Sequence, residues 1–464
     1  MNNDTICALC TLPGKSALSV IRISGPKALE ITKKQASFLP RSIESHRAYV
    51  GVLKKNNREI DQVVLTYFAQ GKSFTGEETL EISCHGGLVS NEILKELLED
   101  GARLAKRGEF SFQSFSNGKM DLVQAEGLYQ VIESENKKSQ EISLQQLRGV
   151  LSKKLNQIEK NWLTLLSHVE ADIDFSMEGL ELYAEEKIKT SLENLLKNIK
   201  KLVSSYQPFD RIQRGLECGF FGPVNSGKST LFNSLLGEDK AIVSGEEGTT
   251  RDVVEGALRV EVGSNFLLKD TAGARKTSSE GEQKGQEKTK KVFESSDLQI
   301  FVVDSTKLDF WTKAEADFPL KPKQVPAFLV FTKKDLCPKA WTKEELFKKF
   351  QQQAPAFSDF SKEEVFFVSA FTGENLEELK TKILLFGRRQ SSEFLIINQR
   401  HYQGLKTMEG ALVEALKILN LQEGERDLIA LELRRGLLAL YEILGRQMDD
   451  EILAEIFKQF CIGK

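Results

Sequence analysis

Gly222 to Thr230 reads GPVNSGKST, and this stretch decides the fold around it. The pattern is G-x-x-x-x-G-K-[ST], met by Gly222, Gly227, Lys228 and Ser229. An apolar run, Leu216 to Phe221, precedes it, and a helix-like run, Ser229 to Leu236, follows. That strand–loop–helix setting separates a phosphate site from a chance glycine-rich turn. The N–H groups of such a loop point at a phosphate, and the helix N-terminus adds partial positive charge. Lys228 would reach the β- and γ-phosphates, and the Ser229 hydroxyl would sit on Mg²⁺. Asn225, Ser226 and Thr230 complete the phosphate-contacting set.

Four short motifs follow at strand-like ends. Gly248-Thr249-Thr250-Arg251-Asp252 lies in a Gly- and Glu-rich loop, where a threonine can complete the Mg²⁺ shell and sense the γ-phosphate. In Asp270-Thr271-Ala272-Gly273, Asp270 would hold Mg²⁺ through water and the Gly273 N–H would meet the γ-phosphate. In Thr332-Lys333-Lys334-Asp335, the Asp335 carboxylate can accept both guanine N1–H and N2–H, which selects guanine over adenine. Ser369-Ala370 offers a backbone N–H to guanine O6. Each motif alone is weak; their order and placement together point to a GTP-binding domain. The guanine motif is usually N-K-x-D, and Thr332 stands where Asn braces the P-loop and base. A weaker brace without a change of nucleotide is expected, because Asp335 remains.

A chain of 464 residues with 40% apolar content has room for about three cored domains. The net charge of −3 excludes a global basic field for nucleic acid, so RNA contact would need a local patch or a partner. Six scattered cysteines, no signal peptide and no long apolar run give a cytoplasmic expectation. Cys7 and Cys10 form C-x-x-C in a strand-like stretch without a second pair, and read either as buried apolar thiols or as a metal or redox pair.

Residues 1–118 read as a small α+β domain, with β-like Ala17 to Ile23, Val63 to Phe68 and Thr79 to Cys84 and a helical Leu88 to Leu98. Over 119–213, apolar residues recur at helical steps from Leu147 to Ile173, predicting one long helix, and again from Ile188 to Leu202. Leu122 to Ile132 predicts a third helix. Residues 214–388 read as the nucleotide domain, a doubly wound α/β sheet. Helices return over 389–464. The expected architecture is multidomain: an α+β N-terminal domain, a discontinuous helical bundle, and a P-loop domain inserted into it.

With these motifs in place, the chain resembles the MnmE (TrmE) family of tRNA-modification GTPases over essentially its whole length. The specific marks lie outside the nucleotide domain: Ser73-Phe74-Thr75-Gly76-Glu77, Cys84-His85-Gly86-Gly87, Arg107-Gly108-Glu109-Phe110, Asn117-Gly118-Lys119 with Asp121-Leu122, Gln124-Ala125-Glu126, Ile173-Asp174-Phe175, and the closing Cys461-Ile462-Gly463-Lys464. The resemblance implies a tetrahydrofolate-binding and dimerising N-terminal domain, with Arg22, Glu81, Lys119 and Lys464 at the folate. Glu81 could pair with a pterin, and Arg or Lys with the anionic glutamate tail. Read without it, Arg22 and Glu81 are an ion pair at a strand end and Lys464 a frayed tail. It implies K⁺ activation, with Asn225 as side-chain ligand and the loop Ser244 to Thr249 supplying oxygens from Ser244, Glu246 and Thr249. The acidic Glu246-Glu247 pair departs from the commoner loop. It implies that Glu282 orients the attacking water with Thr250 and Gly273 nearby, although spacing alone gives Glu282 no preference over Glu280. Cys461 is either a participant in modification or a buried structural thiol, and the His85 loop is expected to shape the folate pocket.

The implied activity is K⁺-stimulated GTP hydrolysis by a homodimer working with the flavoprotein MnmG. Together they would add an aminomethyl or carboxymethylaminomethyl group to carbon 5 of the wobble uridine of certain tRNAs. 5,10-Methylenetetrahydrofolate or 5-formyltetrahydrofolate would supply the carbon, and MnmG would bring FAD and NADH. Two other classes compete: a ribosome-assembly or RNA-binding switch, and a stand-alone folate enzyme with a regulatory nucleotide domain.

Overall fold

Ser19–Ser24 alternates in the manner of a strand, sending Ile21 and Ile23 to one face and Arg22 and Ser24 to the other. The computed structural model describes residues 4–176, 185–223, 225–236, 254–258, 266–270, 292–307, 325–337, 341–357, 359–390, 396–421 and 426–463. The chain forms two compact units: one of Met1–Glu133, Ser143–Ser204 and Gln399–Lys464, the other of Ser134–Ile142 and Ser205–Asn398.

In the first unit, β1 (Ile6–Leu9), β2 (Ser19–Ser24), β3 (Arg47–Lys55), β4 (Arg58–Phe68), β5 (Thr79–Cys84) and β6 (Arg103–Leu104) form one sheet in the order β3-β4-β5-β2-β1-β6. Its pairs are antiparallel except β1 with β6. The helices Ala28–Lys33 and Leu88–Glu99 contribute to the core over Ile21, Ile23, Leu65, Leu80 and Ile82. The opposite face carries a smaller cluster of Ile6, Ala8, Ala105 and Phe110, with Phe74 against it. No expectation marked β3, and the reason is visible: Leu53 alone of its nine residues is buried, so the strand lacks a burial alternation.

The helical stripes are found with one correction. The helix expected from Leu147 begins at Val150 and runs to Ser176. Leu147 instead ends the preceding helix, Lys137–Leu147, and Gly149 takes a left-handed φ of 75° between them. Helices Val150–Ser176, Glu185–Ser204, Gln399–Leu419 and Arg426–Leu444 pack together. Trp162 is fully buried and donates its ring N–H to the Leu433 carbonyl at 2.8 Å. Gly436 makes room for it, since a Cβ there would stand 2.2 Å from a Trp162 ring carbon. Trp162→Ala is expected to destabilise this unit by about 3–5 kcal/mol. Urea unfolding followed by circular dichroism measures this, and an unmoved midpoint would refute it.

The second unit carries β7 (Leu216–Phe221), β8 (Val254–Leu258), β9 (Phe266–Asp270), β10 (Leu298–Asp304), β11 (Ala327–Thr332) and β12 (Val365–Phe367). Their order is β12-β11-β10-β7-β9-β8, parallel except for the β8–β9 pair. Leu231, Leu235, Leu379 and Ile383 pack in one cluster with the sheet, and Phe293, Leu346, Phe350 and Phe357 in a second. Burial in both layers explains the near-continuous apolar runs of β7, β10 and β11. The chain steps from β7 to β9 on one side and to β10 on the other, the topology that opens a crevice at the carboxyl ends of the strands. Among the described residues no helix is long and apolar enough to cross a membrane.

Candidate functional site

Register brings the motifs together at that crevice. Phe221 pairs with Phe301, Phe220 with Asp270, and Asp304 with Thr332. β7 ends directly before Gly222, where a Cβ would lie 2.3 Å from the Val302 carbonyl oxygen, so only glycine fits beside β10. Asn225 and Gly227 adopt left-handed φ values of 62° and 92° and turn the loop into the helix Lys228–Leu236. Lys228 is 6% exposed, and its ammonium lies over the loop, donating to the carbonyls of Gly222 and Pro223 at 2.9 and 2.8 Å. Ser226 Oγ is buried without a hydrogen-bond partner. Ser229 and Thr230 stand in the exposed first helical turn. A buried ammonium, an orphaned buried hydroxyl and a helix N-terminus suit a phosphate group and its Mg²⁺.

The base side is built from two further loops. Thr332 is buried, and its hydroxyl lies 2.6 Å from the Ser226 carbonyl oxygen and 3.2 Å from that of Val303. A bond from the guanine motif to the P-loop is therefore present with threonine in place of asparagine. Thr332→Val keeps the shape but leaves the Ser226 carbonyl without that donor. We expect GTP affinity to fall about tenfold, the size of one buried hydrogen bond left unmade; an unchanged dissociation constant would show the contact to be idle. Lys333, at φ 59°, donates to the Asn225 carbonyl at 2.9 Å and to Asp304 Oδ2 at 2.6 Å. Ser369 Oγ donates to Asp335 Oδ1 at 2.6 Å, which orients the carboxylate. The Ser369 N–H is engaged by the Glu374 carbonyl at 3.1 Å, so of that pair it is not the one left to meet a base. Asp304 was not anticipated; its only sequence signal is an acidic residue closing an apolar strand.

Ser244, Glu246, Glu247, Thr249, Thr250, Thr271, Ala272, Gly273, Glu282 and Lys464 lie outside the described residues. Asp270 is placed by its backbone, at the end of β9.

The N-terminal residues form a second constellation in the first unit. Arg22 and Glu81 are register partners across β2 and β5, and the guanidinium donates to Glu81 Oε1 from Nε at 3.0 Å and a terminal nitrogen at 2.7 Å. The rings of Phe74 and Phe110 lie 5.2 and 5.4 Å from it. Lys119 Nζ donates to the Gly71 carbonyl at 2.8 Å, and Asn117 Nδ2 to that of Thr75 at 2.8 Å. These bonds join the Asn117-Gly118-Lys119 turn to the Gly71–Glu77 loop. Burial raises the Glu77 pKa, with only partial offset from Ser24, and Glu77 Oε2 is buried without a partner. A guanidinium between two rings suits stacking against a flat heterocycle or pairing with a carboxylate.

The chain end returns to this region. Cys10 Sγ donates to the Gly463 carbonyl at 3.1 Å, and the Gly108 N–H to the Cys461 carbonyl at 3.3 Å. Gly463 is pressed on β1's end, where a Cβ would stand 2.6 Å from the Leu9 carbonyl oxygen. Cys461 is half-buried. Cys7 is in the core, where burial pushes its thiol up to about 12. His85 is exposed, with Nδ1 2.7 Å from Asp61 Oδ1 and its N–H donating to Asp61 Oδ2 at 2.9 Å.

Comparison with known proteins bears on both sites. The family model for the MnmE helical domain matches residues 122–461, and that for the GTP-binding protein TrmE N-terminus matches residues 5–119. The tRNA modification GTPase MnmE of Bdellovibrio bacteriovorus is 38% identical over 475 residues, covering 100% of this chain and 98% of that one. The chain belongs to the MnmE family. Other MnmE relatives show the same full-length match: that of Fervidobacterium nodosum is 35% identical over 477 residues, covering 100% of this chain and 98% of that one, and that of Clostridioides difficile 34% over 471 residues, covering 100% and 99%.

Proposed function

We propose that this MnmE-family chain is a GTP hydrolase acting in tRNA modification. The observation that carries the reading is the meeting of the P-loop, Asp304, Thr332 and Asp335 at the carboxyl ends of β7, β10 and β11. Lys228 would leave the Gly222 and Pro223 carbonyls to bind phosphate oxygens, and the helix N-terminus would add field. Asp335, held by Ser369, would accept the two guanine donors while the Ala370 N–H meets O6. Ser229, Thr250 and Asp270 would hold Mg²⁺, which supplies charge neutralisation at the phosphates. Asn225, Ser244, Glu246 and Thr249 would hold K⁺, which supplies a fixed positive charge where an arginine would otherwise act. Glu282 would orient the attacking water.

The finer reading extends to the first unit. Arg22, Glu81, Lys119 and Lys464 would bind a tetrahydrofolate carrying the one-carbon unit, with Cys461 close to it. The chain would act in the cytoplasm as a homodimer with the flavoprotein MnmG, which brings FAD and NADH, to place an aminomethyl or carboxymethylaminomethyl group on C5 of the wobble uridine. Nucleoside analysis of tRNA after removal of the protein tests the reading: loss of the C5-modified wobble uridine supports it, and an unchanged nucleoside profile with defective ribosome assembly would replace it. Glu282→Ala is expected to abolish hydrolysis with GTP binding nearly intact; surviving turnover would remove Glu282 from the water-orienting role.

A further inference from the structure

We infer that Asp304 is a positioning residue for nucleotide binding: it holds Lys333, and Lys333 in turn fixes the P-loop at Asn225. The inference rests on reading this unit as a GTP site. Lys333 Nζ lies 2.6 Å from Asp304 Oδ2 and 2.9 Å from the Asn225 carbonyl oxygen. Both residues joined by this strap are non-glycine positions in the left-handed region, Asn225 at φ 62° and Lys333 at φ 59°. Such conformations are disfavoured and persist where the surroundings over-determine them. An ammonium clasped between a carboxylate and a carbonyl supplies that constraint.

The carboxylate is itself held in orientation. Asp304 Oδ1 accepts from the Thr306 N–H at 2.9 Å and the Thr306 hydroxyl at 2.6 Å, leaving Oδ2 for Lys333. The Asp304 side chain is 9% exposed and that of Lys333 32%, so water reaches the pair mainly from the lysine side. The Ser305 N–H donates to the Thr332 carbonyl at 3.2 Å, and Cys337 Sγ to Ser305 Oγ at 3.0 Å, tying this turn to the guanine motif. Burial raises the Asp304 pKa, but Lys333 and Thr306 outweigh it and hold the carboxyl below its ordinary value, in keeping with a charged clasp. With a neutral side chain at 304, the ammonium would keep only neutral acceptors and turn toward water, and Asn225 would lose its anchor. Because the strap involves no γ-phosphate contact, it orders the loop equally for GDP and GTP. Its direct contribution is therefore to the binding of both nucleotides, and any effect on kcat runs through the K⁺ that Asn225 would hold.

A double-mutant cycle on the full chain tests the strap, with N-methylanthraniloyl-labelled GDP and GTP as probes. Asp304→Asn and Lys333→Met are each expected to weaken both nucleotides about tenfold, the size of one charge-assisted hydrogen bond. The double variant should be no weaker than either single one. The GTP KM should rise together with the dissociation constants of both nucleotides. Wild-type binding with an unaffected Asp304→Asn, additive losses in the double variant, or a fall in kcat at constant KM would each overturn the strap alone. No binding by the wild-type chain would overturn the GTP reading and the strap with it. Thermal melting accompanies each titration, and if Asp304→Asn unfolds, Lys333→Met at the less buried end carries the same expected loss, its absence overturning the strap.

Discussion

Asp335→Asn should invert the base preference of the nucleotide site. In the proposed site the carboxylate would accept two N–H groups from guanine, both bonds being charge-assisted. An amide offers one oxygen acceptor and replaces the second acceptor with a donor that faces the guanine amino group. GTP affinity is expected to fall about a hundredfold or more, two such bonds being lost or reversed. Xanthine carries a carbonyl where guanine has the amino group, so XTP should gain what GTP loses. The Ser369 hydroxyl, 2.6 Å from Asp335 Oδ1, can still donate to an amide oxygen, so the loop should keep its conformation. Competition between GTP and XTP for the full chain measures the inversion. Unchanged GTP affinity would remove Asp335 from the base site.

The second large effect belongs to stability. Glu126 is buried beside Arg400 and His401: Arg400 donates to both carboxylate oxygens at 3.0 and 2.8 Å, and His401 Nε2 lies 2.5 Å from Oε2. Arg400 also donates to the Ile443 carbonyl at 3.0 Å, so the pair links three helices: Leu122–Glu133, Gln399–Leu419 and Arg426–Leu444. Burial pushes the Glu126 pKa up, but His401 and Arg400 outweigh it and bring it from 4.5 to about 2. Glu126→Gln leaves Arg400 without its counter-ion and the buried His401 Nε2 without its carboxylate partner, and should destabilise the first unit by about 3 kcal/mol. The sign of the pH dependence follows. A carboxylate whose folded pKa is depressed stabilises fully above its unfolded value and loses that contribution as pH falls through the folded one. The difference between wild type and Glu126→Gln should therefore be constant above pH 4.5 and shrink between 4.5 and about 2. Equal melting points for the two proteins at neutral pH would sink the assignment.

Much of the second unit was legible because its signals are local. A parallel sheet buried on both faces writes its central strands as apolar runs, and the P-loop and the guanine motif sit at the ends of β7 and β11. The GTP-site loops follow from that order. Asp304 stayed hidden because nothing in its own stretch distinguishes it from an acidic strand end; its role depends on the register that sets it against Thr332. Likewise the hydroxyl bond from Thr332 to the P-loop carbonyl depends on a distance between loops, which residue identity does not encode.

The first unit divides the same way. Period-two and period-3.6 patterns specify its strands and long helices, and Gly149 explains where the helix start was misplaced. The sequence by itself determined the strand–loop–helix around GPVNSGKST, the Thr332–Asp335 motif at the end of an apolar strand and the helical stripes, since each is a pattern of neighbours along the chain. Only the tertiary structure decided that Arg22 is clasped by Glu81 between two rings, that the Cys461–Gly463 end docks on Cys10 and Gly108, and that Glu126 is buried against Arg400 and His401. Those are contacts between segments far apart in sequence, fixed by sheet register and helix packing, and no local periodicity carries them.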